Sequence, residues 1–168
     1  MRPVYIPVGH IVNAHGIRGE VRVQPEGQDP AFLTRFKTFY LDGSPVTPTA
    51  NHVHKSLVLM KFPGVDDMNA ALALKGKDLY IRRADAKLPE GAYFDAELLG
   101  MNVYDAATGE ALGEIVQVDP YPAHKVYTVK GAREYLIPAV PEVFIKSVDL
   151  DDNRMEVHVW EGMASDEN

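Results

Sequence analysis

The sequence predicts an all-β protein built as two small β-barrel domains joined by a short linker, with one or two short helices. Three observations predict it. Short apolar stretches, several with period-two alternation, recur along the whole chain between Gly, Pro, Asn and Asp turns. Only Asp66 to Leu74 has the composition of a clear helix. The charge balance also breaks near the middle. Residues 1–90 hold twelve Lys and Arg against nine Asp and Glu, and residues 91–168 hold five against fifteen. The expected organisation is a first barrel over 1–84, a linker over 85–91, a second barrel over 92–163 and a disordered tail over 164–168.

The first barrel opens with a hairpin. Val8, Ile11 and Val12 make one arm apolar, and Val21 and Val23 alternate with Glu20, Arg22 and Gln24 in the other. His15-Gly16-Ile17-Arg18-Gly19 is the turn, with two glycines free to adopt backbone angles that other residues resist. Pro25 to Pro30 is a turn cluster, and Asp29 can cap a short helix that has Pro30 at its first position. Thr38 to Leu41 reads as a strand ended by Asp42-Gly43, and Pro45 and Pro48 keep the next piece irregular or on a sheet edge. His52 to Phe62 reads as a strand pair or one long bent strand, stopped by Pro63-Gly64. The helix follows, with aspartates at its start and Lys75-Gly76 at its end. Asp78 to Ile81 is a closing strand, which makes about six strands.

Arg82 to Gly91 lacks a clear period and contains Pro and Gly, which marks the linker. Beyond it, Met101 to Asp105 and Ala111 to Asp119 are strands around a Thr108-Gly109 turn. Lys125 to Lys130 and Glu134 to Ile137 form another hairpin around Gly131. Phe144 to Leu150 and Met155 to Trp160 close the set around Asp151-Asp152-Asn153. Regular short strands and turns describe a second barrel or roll.

Composition excludes whole classes of chemistry. The chain of 168 residues is 46% hydrophobic and has no cysteine, so disulfides, thiolate catalysis and cysteine-ligated metals are out. No apolar run approaches the ~20 residues that span a bilayer, and the first residues lack a signal-peptide pattern, so a cytoplasmic protein is expected. No Gly-x-Ser-x-Gly, phosphate-binding Walker loop or His-Glu-x-x-His is present, and nothing assembles a nucleophile with a base. No enzyme activity and no cofactor are expected.

Gly9, Ile11, Val12, Ala14, His15, Gly16, Ile17, Gly19, Glu20, Val21 and Val23 follow the pattern Gly-x-Ile-Val-x-Ala-His-Gly-Ile-x-Gly-Glu-Val-x-Val. This stretch resembles the N-terminal signature of the RimM family of bacterial ribosome maturation factors. The second half resembles the PRC-barrel domain at the C-terminus of that family. Tyr93-Phe94, Leu98-Leu99-Gly100, Val103, Gly109, Leu112-Gly113-x-Ile115, Leu136-Ile137-Pro138, Val148-Asp149-Leu150 and Glu161-Gly162-Met163 carry it. Phe94 stands where the family usually has a second tyrosine, Glu97 where it often has Asp, and Ala139 where it has Phe. The resemblance implies a factor that binds the immature small ribosomal subunit near its head, through a head ribosomal protein of the S-nineteen type. It also implies assistance to small-subunit rRNA folding and processing.

The residues supply a physical form for that expectation. The acidic second half suits a basic protein, and the basic first half can approach phosphates. Tyr93 and Phe94 are candidate partner-binding residues: as neighbours on a strand they would point to opposite faces, one core and one exposed, and an exposed aromatic beside acidic groups suits a basic partner, while burial of both at the domain junction is the competing reading. His15, Arg18 and Arg22 are candidate rRNA or subunit contacts, set against a hairpin in which His15 orders the loop and both arginines are solvated. Turn chemistry alone explains the glycines. His52 and His54 share a strand face but show no third metal ligand, and Asp66-Asp67 fits a helix cap better than a Mg²⁺ site. No metal and no membrane partner are expected, and the chain is expected to be a monomer. The rival function is a small-molecule or flavin-binding β-barrel enzyme.

Overall fold

The computed structural model describes residues 3–89 and 91–165. The chain divides into two compact units, one over Val4–Lys87 and one that begins at Leu88. Both are all-β, and in each a seven-stranded sheet curls into a half-barrel.

In the first unit, β1 (Tyr5–His15) and β2 (Glu20–Pro25) form the opening hairpin. After α1 (Pro30–Leu33) come β3 (Phe39–Leu41), β4 (Ser44–Val46), β5 (Ala50–His54) and β6 (Leu57–Lys61). Then follow α2 (Met68–Leu72) and β7 (Asp78–Arg82). The sheet order is β4-β3-β7-β1-β2-β6-β5. Seven strands therefore replace the expected six, because the segment around Pro45 is a short edge strand, where a missing amide costs no ladder bond. Alternation decides the inner face. Ile6, Val8, Ile11, Val21, Val23, Val58, Met60, Leu79 and Ile81 are all buried to 1% or less. A bulge at Val12 resets the hairpin register, from Ile11↔Val23 to Asn13↔Arg22.

Both helices are capped as their sequences suggest. Asp29 accepts from the Phe32 amide at 2.9 Å, and Asp67 accepts from the Ala70 amide at 2.8 Å. Asp66 does not cap; its carboxylate meets the Lys61 ammonium at 2.9 Å. Lys61 also donates to the carbonyls of Phe62 and Val65. It thereby folds the Phe62–Asp66 loop against the hairpin turn. Gly19 is where they touch. A Cβ on Gly19 would lie 2.0 Å from the Val65 carbonyl oxygen, and its φ is +94°. This glycine answers a close backbone approach as well as a turn. Gly16, with φ +70°, has open space where its Cβ would be.

The second unit holds α3 (Asp95–Leu98), β8 (Asn102–Asp105), β9 (Ala111–Pro120), β10 (Lys125–Lys130) and β11 (Glu134–Pro138). It continues with β12 (Ile145–Asp149), β13 (Arg154–Val157) and β14 (Ala164–Ser165). The order is β12-β13-β8-β9-β10-β11-β14. Every pairing is antiparallel except β8 with β13. Leu98, Met101, Val103, Leu112, Ile115, Tyr127, Val129, Ile137, Met155 and Val157 form the core. The disordered tail expected from residue 164 is corrected at its start. Ala164 and Ser165 pair with Tyr135 and Glu134, because edge strand β11 offers an open row of backbone groups. Residues 166–168 lie outside the described residues.

Candidate functional site

Tyr93 and Phe94 do not lie on a strand. They precede α3, with Phe94 as its N-cap residue. Phenylalanine has no side-chain acceptor for a cap. Glu97, three residues on and 1% exposed, supplies one: its Oε1 accepts from the Phe94 amide at 3.0 Å. The Glu97 amide in turn donates to the Phe94 carbonyl at 2.9 Å. This reciprocal pair fixes where the two aromatics point. Phe94 is 3% exposed, so as a directly accessible contact it is corrected to a buried residue. Tyr93 stays half-buried, on the edge of a cleft.

That cleft is polar. Ser147, Asp149, Asp151, Arg154 and Glu156 line it beside Tyr93, Val148 and Leu150. Its one cation is largely occupied: the Arg154 guanidinium sits 3.8 Å from the centre of the Tyr104 ring and 3.9 Å from Glu156. The Asp149 carboxylate accepts from the Asp151 and Asp152 amides at 3.1 Å, which shapes the turn between β12 and β13. An aromatic edge thus opens onto three carboxylates contributed by one hairpin.

Asp95 pairs with Lys125 at 2.7 Å. The Tyr127 hydroxyl is pushed up to about 12 by burial first, then by the Asp95 and Tyr93 charges. Tyrosine ionises near 10 in an unfolded chain. The folded state therefore holds this proton more tightly. Its contribution is fully present below pH ~10 and is lost as pH rises to ~12, an effect of about 2–3 kcal/mol. Alkaline unfolding of the wild type is expected to show this loss, and Tyr127→Phe is expected to lack it; equal pH profiles would refute the assignment.

The first unit brings together part of the other candidate set. Arg22 Nε donates to His15 Nδ1 at 3.1 Å across the hairpin. The His15 ring also lies 5.5 Å from that of His54. Arg18 does not join them; it is exposed at the tip beside Ile17, which is 73% exposed. His52 and His54 acquire no third ligand among the described residues. Among the described residues the one convergent group of potential metal ligands is His10, Glu26 and Asp78, whose ligand atoms lie within 4.8 Å of one another. His10 already contacts Asp78 at 2.7 Å. Burial, then Asp78, raises the Glu26 carboxyl above its usual value, with His10 opposing.

Sequence reasoning missed the carboxylates that frame Tyr93. Asp149, Asp151 and Glu156 read as turn and strand residues, and only the β12–β13 hairpin brings them to the start of α3.

Residues 6–86 match the RimM N-terminal domain, and residues 95–163 match the RimM PRC barrel domain. The chain belongs to the RimM family. Relatives named ribosome maturation factor RimM align over nearly the full length. That of Acetivibrio thermocellus is 40% identical, covering 97% of this chain and 98% of its own. That of Symbiobacterium thermophilum is 36% identical over 98% and 97%, and that of Clostridioides difficile 35% identical over 95% of each. The first RimM match ends at residue 86 and the second begins at residue 95, on either side of the division between Lys87 and Leu88. Among the described residues no helix is long and apolar enough to cross a membrane.

Proposed function

We propose that this RimM-family chain acts as a non-catalytic assembly factor, monomeric, cytoplasmic and without a cofactor. It binds the immature small ribosomal subunit near its head and assists the folding and processing of small-subunit rRNA. The second unit docks on a basic head protein of the S-nineteen type, and the first unit faces neighbouring rRNA. The observation that carries this reading is Tyr93 at the edge of a cleft lined by Asp149, Asp151 and Glu156. A tyrosine supplies a large anchor with a polar tip, and the carboxylates steer a basic partner toward it. Phe94 supports Tyr93 from inside. In the first unit, Arg18 is the exposed cation for rRNA, and the His15–Arg22 bond stiffens the hairpin that presents it. Binding favours one arrangement of the subunit head by differential affinity, with no covalent step.

The test is the binding of full-length Tyr93→Ala to small subunits and to the purified head protein at two salt concentrations. A hot-spot residue of this kind is expected to weaken docking by about 30-fold, while circular dichroism stays unchanged. Wild-type affinity is expected to fall as salt rises. A folded Tyr93→Ala that binds as the wild type does would remove Tyr93 from the anchor. An intact chain that binds neither target would leave the small-molecule barrel as the better reading.

A further inference from the structure

We propose that the outer face of β1, β3 and β7 is a stacking platform for unpaired RNA bases. The inference rests on the reading that the first unit faces rRNA, and it names the surface and the state of the RNA.

Strand pairing assembles the platform. Tyr5 lies opposite Arg82, Pro7 opposite Tyr80, and Tyr40 opposite Tyr80. Side chains two apart on a strand share a face, so Tyr5 and Pro7 stand beside Tyr80 and Arg82, with Tyr40 next in line. The alternate residues Ile6, Phe39, Leu79 and Ile81 face the core and are buried to 1% or less. Tyr5 and Tyr80 therefore lie off the core, while Tyr40 is itself buried. All three rings are on one face, where Tyr5 is exposed, Tyr80 half-buried and Tyr40 buried.

The geometry suits a flat ligand. Tyr5, Tyr40, Gly43 and Tyr80 line an open hollow. Gly43 contributes no side chain to fill it. The Tyr5 and Tyr40 rings meet edge to face at 5.0 Å and 65°, which props Tyr5 away from the sheet and leaves it 46% exposed. Arg82 extends over the Tyr40 ring at 5.6 Å. Among the described residues no carboxylate forms an ion pair with it. Asp42, next to Gly43 in the chain, is already paired with Lys77.

Charge chooses the occupant. Aromatic-lined grooves also receive proline-rich peptides, but those that select basic peptides do so with acidic groups at the rim. Here the rim carries a cation, and the unit around it has a surplus of three positive charges over residues 1–90. An exposed tyrosine with a half-buried one beside it on a sheet, and an arginine alongside, match the requirements of single-stranded RNA: faces for bases and a cation for phosphate. Duplex RNA hides its base faces and cannot use the rings. The platform occupies the N-terminal end of β1, whereas His15 and Arg18 lie at and beyond its C-terminal end. The two surfaces can therefore be varied separately.

The experiment uses the full-length chain and a fluorescein-labelled single-stranded RNA about twelve nucleotides long, free and annealed to its complement. The wild type is expected to bind the single strand more tightly than the duplex. Tyr5→Ala is expected to weaken single-strand binding about 5- to 100-fold. Tyr5→Phe, which keeps the ring, is expected to stay within about twofold of the wild type. Arg82→Ala is expected to weaken binding and lower the salt slope by about one. Equal binding of duplex and single strand, or unchanged binding by a folded Tyr5→Ala, overturns the proposal. So does capture of a proline-rich peptide, competed by Tyr5→Ala, with no RNA bound. Small-subunit binding is measured in parallel. If single strands bind with this variant pattern but subunits do not, the platform stands and the assembly reading falls. If subunits bind but single strands show no preference, the platform alone falls.

Discussion

Replacing Gly19 by alanine is expected to destabilise the first unit by about 3–5 kcal/mol, enough to remove most of the stability of a small domain. Two costs coincide at this position. The backbone holds φ at +94°, where a Cβ is strained. That Cβ would also fall 2.0 Å from the Val65 carbonyl oxygen, 2.6 Å from its carbon and 2.9 Å from the Asp66 nitrogen. These are all backbone atoms, so no side chain can swing aside. The loop cannot retreat freely either, because Lys61 grips it through the Phe62 and Val65 carbonyls and the Asp66 carboxylate. Gly16→Ala provides the control. It meets the conformational cost alone, about 1–2 kcal/mol, since nothing lies within 4 Å of its Cβ position. Urea unfolding of both variants checks the difference. Equal losses would mean that the turn and the loop do not hold this approach in solution.

Glu97→Ala is expected to cost about 3–4 kcal/mol in the second unit and to weaken docking as well. The Glu97 carboxylate is 1% exposed and accepts from the Phe94 amide, which would lose that acceptor. An unsatisfied buried amide and an emptied side-chain volume add together. The first turn of α3 then frays, and Tyr93 loses its fixed position beside the acidic cleft. Glu97→Gln keeps an acceptor oxygen on the same stem and is expected to recover more than half of the loss. Denaturant unfolding and head-protein binding measure the two effects. If Glu97→Ala destabilises the unit but binds normally, the position of Tyr93 does not depend on this cap.

The opening hairpin was legible because its information is local. Val21 and Val23 alternate with charged neighbours, and two glycines mark the turn. The second role of Gly19 was not legible, since Val65 reaches it through a loop set by Lys61. The helix expected over 66–74 forms only over Met68–Leu72: Asp67 takes the cap, and the chain turns off after Ala73. Helix α3 escaped notice because Phe94 lacks a capping side chain. Glu97 at the third helical position was the signal for it. Reading Tyr93-Phe94 as a strand suggested one residue in and one out. The structure divides them in that sense by helix entry, with Phe94 buried and Tyr93 half-buried. The Tyr5, Tyr40 and Tyr80 face could not be read at all. Its members lie far apart in the chain and meet only through the β3-β7-β1 order.

The parallel pairing of β8 with β13 governs how the second unit can assemble in time. β8 emerges early and finds β9 at once across a short turn, but its other edge waits for a strand at 154–157. Hairpins β9–β10 and β10–β11 can zip locally in the interval. The sheet nevertheless keeps an open flank at β8 until β12 and β13 arrive together. Closing so large a loop slows the final step and leaves Val103 without its cover from Met155 meanwhile. The acidic cleft is carried by that last hairpin. The surface assigned to partner docking thus forms only when the flank of β8 closes, and a chain with an incomplete core carries no finished docking surface.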